Sequence, residues 1–199
     1  MPDLRFVNAA LTRAAFEPLS ELPGTTAEGM VAHENYEKVV VAHLTSYPWR
    51  FASTERKLNY VGEMETSRWL YEYQMPADLL YVRKVEVSGM PVAYERMGDK
   101  LLCDIDNTVD LIATATWRVP EAQWPGYFSL PLTLDMEAIF LRSPAGQYEE
   151  AEARAEEARL KWEIGKTEDS KLATPVDPRR SLTMEARNGR RPLPWQCRG

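Results

Sequence analysis

The chain of 199 residues carries 24 Lys and Arg against 30 Asp and Glu, a formal charge of −6. Its hydrophobic fraction of 44% can build a core, which excludes a wholly disordered chain. No apolar run approaches the roughly 18 residues of a membrane-spanning helix, and the first residues do not resemble a secretory signal. Two cysteines, Cys103 and Cys197, are too few for a disulfide framework or a zinc site. Composition therefore predicts a soluble, intracellular protein.

The charge is unevenly distributed along the sequence. Residues 174–199 hold six arginines and two acidic residues, a net charge of +4, which leaves −10 for residues 1–173. This segment is rich in proline and glycine and lacks any helical or strand period, so we do not expect it to fold alone. It is either a dispensable disordered end or an arm that becomes ordered on a partner. Apolar and aromatic residues interleaved with arginine favour the arm, and the candidate contact residues are Arg179, Arg180, Leu182, Met184, Arg187, Arg190, Arg191, Leu193 and Trp195.

The first fifty residues predict two helices. Apolar residues recur on one face from Leu4 to Phe16. The next stretch, 25–28, has the capping-box pattern, in which the Thr25 hydroxyl accepts from the Glu28 amide. A second helix is expected from Thr26 to Ser46, and Pro48 prevents its continuation.

The middle of the sequence changes to a strand pattern. Polar and apolar residues alternate within 57–61 and 71–73, while 79–87 and 109–119 are rich in β-branched and aromatic residues. Turn residues separate these stretches at roughly ten-residue spacing, which predicts an antiparallel sheet or small sandwich. The acidic stretch 104–110 fails the calcium-loop pattern and is interpreted as a hairpin turn.

Helical periodicity returns after Trp124. One helix is predicted to begin near Leu130, because of Pro131, and to end near Arg142. Another is predicted from Gln147 to Glu168. It has a small-residue face that either packs within the subunit or contacts a neighbouring subunit, and the interface candidates are Tyr148, Ala151, Ala155, Ala158 and Trp162.

These elements predict an α+β fold. About four helices form a bundle that carries an inserted antiparallel β-sheet or small sandwich, followed by an extended C-terminal arm. The expected divisions are helices in 1–51, the β-rich insertion in 52–119, further helices in 120–172 and the basic arm in 173–199.

The sequence offers little catalytic chemistry. It lacks the glycine-rich phosphate-binding motifs, the zinc-protease motif and the nucleophile-elbow motif. His33 and His43 lie ten residues apart on one helix, about 15 Å along its axis, which is too far to share a metal ion. We therefore expect no enzyme activity, no metal and no cofactor. The acidic residues 1–173 also argue against tight nucleic-acid binding.

The order of several motifs points to a family. The chain opens with Phe6–Ser20 and continues with the stretch His43–Ala52. It then has Tyr71–Val82, the strand Leu101–Asp104 and Trp124–Phe128 before the last helices. In order and spacing these segments resemble the head-to-tail adaptors of tailed bacteriophages, the group that includes tail tubular protein A and the adaptors of gene transfer agents. The resemblance covers roughly residues 4–170.

The resemblance implies a structural protein of the virion neck, assembled in the host cytoplasm. Such a protein forms a ring, twelve-membered in its relatives, beneath the portal protein. It extends the channel through which double-stranded DNA passes and provides the platform for a tail, nozzle or stopper protein. Residues 174–199 would then be a portal-binding arm, and the acidic remainder would let DNA pass without binding it.

Three alternatives remain open on the sequence. A different neck or tail-completion protein would bind the tail tube but not the portal. A small ligand-binding or enzymatic α+β domain would need a polar pocket with convergent titratable groups. A nucleic-acid-binding module that uses the arginine-rich segment would show steep salt dependence of DNA affinity.

Overall fold

The computed structural model describes residues 4–22, 24–65 and 67–172. Its four helices are α1 (Leu4–Arg13), α2 (Ala27–Ser46), α3 (Gly126–Arg142) and α4 (Tyr148–Lys171). Between α2 and α3 lie the strands β1 (Ser53–Lys57), β2 (Asn59–Glu63), β3 (Tyr71–Gln74), β4 (Leu79–Val87), β5 (Met90–Pro91), β6 (Glu95–Met97), β7 (Lys100–Cys103) and β8 (Ile112–Trp117). The predicted α+β class, a helical bundle with an antiparallel β-insertion, is confirmed. The proposed arm lies outside the described residues.

Helix α1 ends earlier than predicted, at Arg13 rather than Phe16. Ala15 adopts a left-handed backbone conformation with φ 61°. The Phe16 amide then donates to the Leu11 carbonyl oxygen over 2.9 Å, which closes the helix in the manner of a Schellman motif. Periodicity alone missed this ending because alanine usually continues a helix rather than ends one.

Helix α2 occupies the predicted range, but its cap is one residue later than expected. The Thr26 hydroxyl, not that of Thr25, accepts from the backbone amide of Gly29 over 3.1 Å. Two adjacent threonines left the register of the capping box ambiguous, and the side chain that directly precedes the first helical residue takes the role.

Helix α3 begins at Gly126, not near Leu130 as predicted, and Pro131 lies inside it. Proline lacks the amide that would bond the Tyr127 carbonyl oxygen four residues earlier. That carbonyl instead faces α4 at Gly165. The helix therefore tolerates its internal proline, and the sequence rule placed the start too late.

The eight strands form two four-stranded antiparallel sheets. The strand orders are β1-β8-β4-β5 in the first sheet and β2-β3-β7-β6 in the second. Residues 104–111 connect β7 of the second sheet to β8 of the first, so this stretch crosses between sheets and is not the predicted hairpin turn. The crossing allows both sheets to contribute to one interior, and residues 53–117 therefore form a β sandwich.

Two hydrophobic cores result. The bundle core contains fully buried residues of all four helices together with Trp49, whose indole nitrogen donates to the His43 carbonyl oxygen over 2.8 Å. The sandwich core combines residues of the first sheet, such as Trp117, with residues of the second, such as Tyr73 and Cys103. None of the helices in the described ranges is long and apolar enough to cross a membrane.

Candidate functional site

A cluster of three side chains joins α2, α3 and α4. His43 Nε2 lies 2.9 Å from Asp135 Oδ2, and the Trp162 indole nitrogen donates to the same oxygen over 2.6 Å. The imidazole of His43 stacks on the Trp162 ring with centroids 4.0 Å apart. Ser46 donates its hydroxyl to the His43 backbone carbonyl, so its hydrogen bond does not run to the imidazole. The geometry holds three helices together and does not pair a nucleophile with a base.

A cavity of about 340 Å³ lies beside this cluster. Besides His43, Asp135 and Trp162, it is bordered by the basic residues Arg159 and Lys166. Both basic groups are already paired on α4, with Glu156 and Glu163 respectively. The polar groups of this cavity are thus engaged with one another and do not converge on a ligand position.

A second cluster surrounds the carboxylate of Glu137 on α3. Its side chain is 2% exposed, and its two oxygens accept from Arg13 Nε over 2.7 Å and from Arg154 Nε over 2.9 Å. The two arginines belong to α1 and α4, and each is about half exposed. This buried charge is compensated from both sides, which fixes α1 and α4 against α3.

A third cluster joins α2 to the segment that follows β8. The Arg118 guanidinium donates to Glu37 over 2.8 Å and to Glu121 over 2.6 Å, and the Tyr36 hydroxyl donates to Glu121. Burial alone would raise the pKa of Glu121, but donation by Arg118 and Tyr36 holds it below its ordinary value. Burial alone would lower the pKa of Arg118, but its bonds to both carboxylates raise it. The cluster therefore connects the segment that follows β8 to helix α2 of the bundle.

A fourth cluster fixes the C-terminal part of α4. The buried carboxylate of Asp169 accepts from the Arg50 backbone amide over 3.1 Å and from the Tyr127 hydroxyl over 2.8 Å. Burial, followed by the bond to Asp169, raises the pKa of Tyr127. In the described part of the chain, no group of three or more His, Cys, Asp and Glu residues could hold a metal ion.

The residues predicted to form an interface on α4 fall into two groups in the structure. Ala151 and Ala158 are fully buried and Trp162 is 6% exposed, so these three pack inside the subunit and cannot contact a neighbour. This corrects their assignment as interface candidates and favours the first of the two alternatives. Ala155 is half-buried at the cavity beside His43, and Tyr148 stays exposed.

The opposite face of α4 carries exposed apolar residues that sequence reasoning missed. Leu160 is 53% exposed and Ile164 is 54% exposed, one turn apart. In the sandwich, Met90 and Met97 are exposed to 68% and 57% near turns. The alanines of α4 recur every three or four residues and were therefore predicted to form its contact face. Leu160 and Ile164 have an equally regular spacing, which marks a second apolar face.

The predicted portal-binding residues lie outside the described residues. These are Arg179, Arg180, Leu182, Met184, Arg187, Arg190, Arg191, Leu193 and Trp195. Their assignment stays a prediction from the sequence. Cys197 belongs to the same segment, whereas Cys103 is buried in the sandwich, where burial raises the pKa of its thiol.

Comparison of the chain with protein-family models and with curated proteins gives no match. A functional assignment must therefore rest on the motif order in the sequence and on the geometry described above. That geometry consists of charged and aromatic clusters that join elements, together with exposed apolar residues on α4 and on the sandwich.

Proposed function

We propose that the protein is a structural head-to-tail adaptor of a tailed phage or a phage-like particle. It forms a ring that binds the portal, extends the DNA channel and provides the platform for tail attachment. The observation that carries this proposal is the order of five sequence segments along residues 4–170, which resembles that of the adaptor family. The proposal places the protein at the neck of the virion.

The resembling segments belong to the scaffold of the protein. Trp49, within the stretch 43–52, is fully buried in the bundle core. The stretch 71–82 supplies β3 and the first half of β4, and Phe128 contacts Trp49 edge-to-face at 5.3 Å. Trp49 and Phe128 thus belong to the bundle core and Tyr73 to the sandwich core, so these segments serve as scaffold, in agreement with a structural role.

The surface supports an assembling protein. Leu160 and Ile164 point away from the core, and Met90 and Met97 extend from the sandwich turns. Leu160 and Ile164 form one adjacent apolar pair that a subunit contact could use, whereas single exposed methionines are common on any protein surface. Residues 1–173 carry −10, which suits a channel wall that does not bind DNA, while 174–199 carry +4 and suit attachment elsewhere.

Truncation after Ala173 tests the assignment. The truncated chain retains every described helix and strand, so we expect unchanged far-ultraviolet circular dichroism and lost binding to portal rings. Within the full chain, the double variant Leu193→Ala and Trp195→Ala should weaken portal binding, whereas Cys197→Ser, in the same segment, should not. Unchanged portal binding by the truncated chain would contradict the arm. Binding to tail tubes but not to portal would identify a different neck protein.

A further inference from the structure

A groove runs along the surface of the bundle where α2, α3 and α4 meet. The cavity of about 340 Å³ beside His43 adjoins a second cavity of about 240 Å³, and the two share His43, Asp135 and Ala155 as lining residues. Together they are called the bundle groove below. Its apolar walls come from three helices and consist of Val39, Ala138, Ile139, Ala155 and Trp162.

The charges of the bundle groove suit an occupant that is apolar and acidic. The Asp135 carboxylate inside the groove already accepts from Trp162 and lies against His43. Arg142, which borders the groove, is exposed and makes no ion pair with any described residue. An occupant that brings apolar side chains to the walls and a carboxylate to Arg142 would therefore complement this surface.

Helix α4 of the same chain carries an element of this kind. Leu160 and Ile164 are both more than half exposed, lie four residues apart and form one row of side chains along the helix. This row is called the α4 ridge below, and neither of its residues lines the bundle groove. Helix α4 has eight acidic and five basic residues, a net charge of −3, so the ridge belongs to an acidic helix.

The groove and the ridge lie on different sides of α4. At 3.6 residues per turn, the five positions from Ala155 in the groove to Leu160 on the ridge place the two side chains about 140° apart around the helix. A ridge seated in the groove of a neighbour therefore leaves the neighbour's own ridge free for a third copy. Contacts of this head-to-tail kind form rings where the rotation between copies closes.

We propose that the α4 ridge of one copy of this chain packs into the bundle groove of the next copy. A row of side chains four residues apart is the ridge that ordinary helix packing places in a groove, and Ala155 leaves space for it. Acidic side chains of the incoming helix approach Arg142. The contact deepens the proposed function by naming the surfaces that join neighbouring subunits, and it rests on that function only for the closure into a ring.

Two variants of the full-length chain, each lacking one half of the contact, test the proposal. The ridge variant carries Leu160→Gln and Ile164→Gln, and the groove variant carries Ala155→Gln, whose longer side chain fills the groove. We expect each variant to self-associate about tenfold more weakly than the wild type in sedimentation velocity. The control is Met30→Gln, which replaces an exposed methionine of α2 outside the groove and should self-associate as the wild type does.

An equimolar mixture of the two variants gives the sharpest result. The ridge variant keeps an intact groove and the groove variant keeps an intact ridge, so we expect pairs in a 1:1 ratio and no larger species. Such pairing also shows that both variants are folded. A mixture that stays monomeric would overturn the contact, as would a wild-type chain that is monomeric at every concentration.

Portal rings separate this proposal from the adaptor assignment. If the ridge variant adds a ring of density to the portal as well as the wild type does, the ridge contact is overturned and the adaptor assignment stands. If the two variants pair in a 1:1 ratio but the wild type ignores the portal, the contact is supported and the adaptor assignment is contradicted.

Discussion

The backbone carbonyl of Tyr127 faces Gly165 so closely that a β-carbon at position 165 would lie 2.6 Å from its oxygen. Two sequence features produce this approach. Pro131 cannot donate to the Tyr127 carbonyl, and glycine leaves room for that carbonyl on α4. The contact sets the spacing of α3 and α4 near the aromatic residues of the bundle core.

Gly165→Ala should destabilise the protein. The added methyl meets a backbone oxygen rather than a flexible side chain, so a helix must shift. We expect a loss of about 1–3 kcal/mol in the free energy of unfolding, measured by urea denaturation. Gly126→Ala is the matched control because a β-carbon there meets nothing within 4 Å. Wild-type stability of both variants would contradict a close contact between the Tyr127 carbonyl and Gly165.

Removing the two arginines that bind the Glu137 carboxylate should have a strongly non-additive effect on the free energy of unfolding. Arg13→Ala and Arg154→Ala each leave one guanidinium on the buried carboxylate, whereas the double variant leaves none. We expect the double variant to lose about 3–5 kcal/mol, more than the sum of the single losses. Adding Glu137→Leu should restore stability because it removes the uncompensated charge.

The control for this cycle is Arg159→Ala, which removes an exposed pair within α4 and should cost less than about 1 kcal/mol. Additive single losses, or a triple variant no more stable than the double, would contradict the role of Glu137.

The lowered pKa of Glu121 predicts an acid-dependent contribution to stability. Burial works to raise this pKa, but hydrogen bonds from Arg118 and Tyr36 lower it below 4.5 overall. The contribution is therefore present above pH 4.5 and is lost as the pH falls through the folded-state pKa. Glu121→Gln should lower stability at pH 6, and the difference from wild type should shrink towards pH 3. Glu55→Gln, on the exposed part of β1, removes a charge without these hydrogen bonds and serves as the control.

For Tyr73 we expect the opposite dependence of stability on pH. Its hydroxyl donates to the carbonyl oxygens of Ile105 and Asp106, over 3.0 and 2.8 Å. Burial is the main cause that raises the pKa of Tyr73 to about 12, from 10.0. Tyr73→Phe should therefore cost about 1 kcal/mol at neutral pH. The raised pKa of Tyr73 stabilises the folded protein below pH 10, and this contribution is lost as the pH rises towards 12. The stability difference between wild type and Tyr73→Phe should therefore narrow over that range. A stability difference between Tyr73→Phe and the wild type that stays constant as the pH rises would contradict this role of Tyr73.

The general architecture was predictable because periodicity reports which side of an element is buried. The range of α2 followed from its apolar spacing, and the alternation around Tyr71 predicted strands. The end of α1 at Arg13 and the start of α3 at Gly126 were not predictable. The end of α1 depends on the left-handed backbone conformation of Ala15. The start of α3 depends on the Tyr127 carbonyl, which finds room at Gly165, almost 40 residues later.

The clusters that join elements were the least predictable. His43, Asp135 and Trp162 come from three helices, and no sequence spacing connects them. The same holds for Arg13 and Glu137, which lie 124 residues apart. Exposed apolar residues such as Leu160 could be found from their helical spacing once the buried face of α4 was known.

Electron microscopy of the full-length protein mixed with portal rings tests the adaptor proposal most directly. If the protein is an adaptor, we expect an added ring of density beneath the portal, with the helical bundle recognisable in each subunit. We also expect that the chain truncated after Ala173 fails to add this density. Full-length protein that stays free of portal rings at all mixing ratios would contradict the proposal.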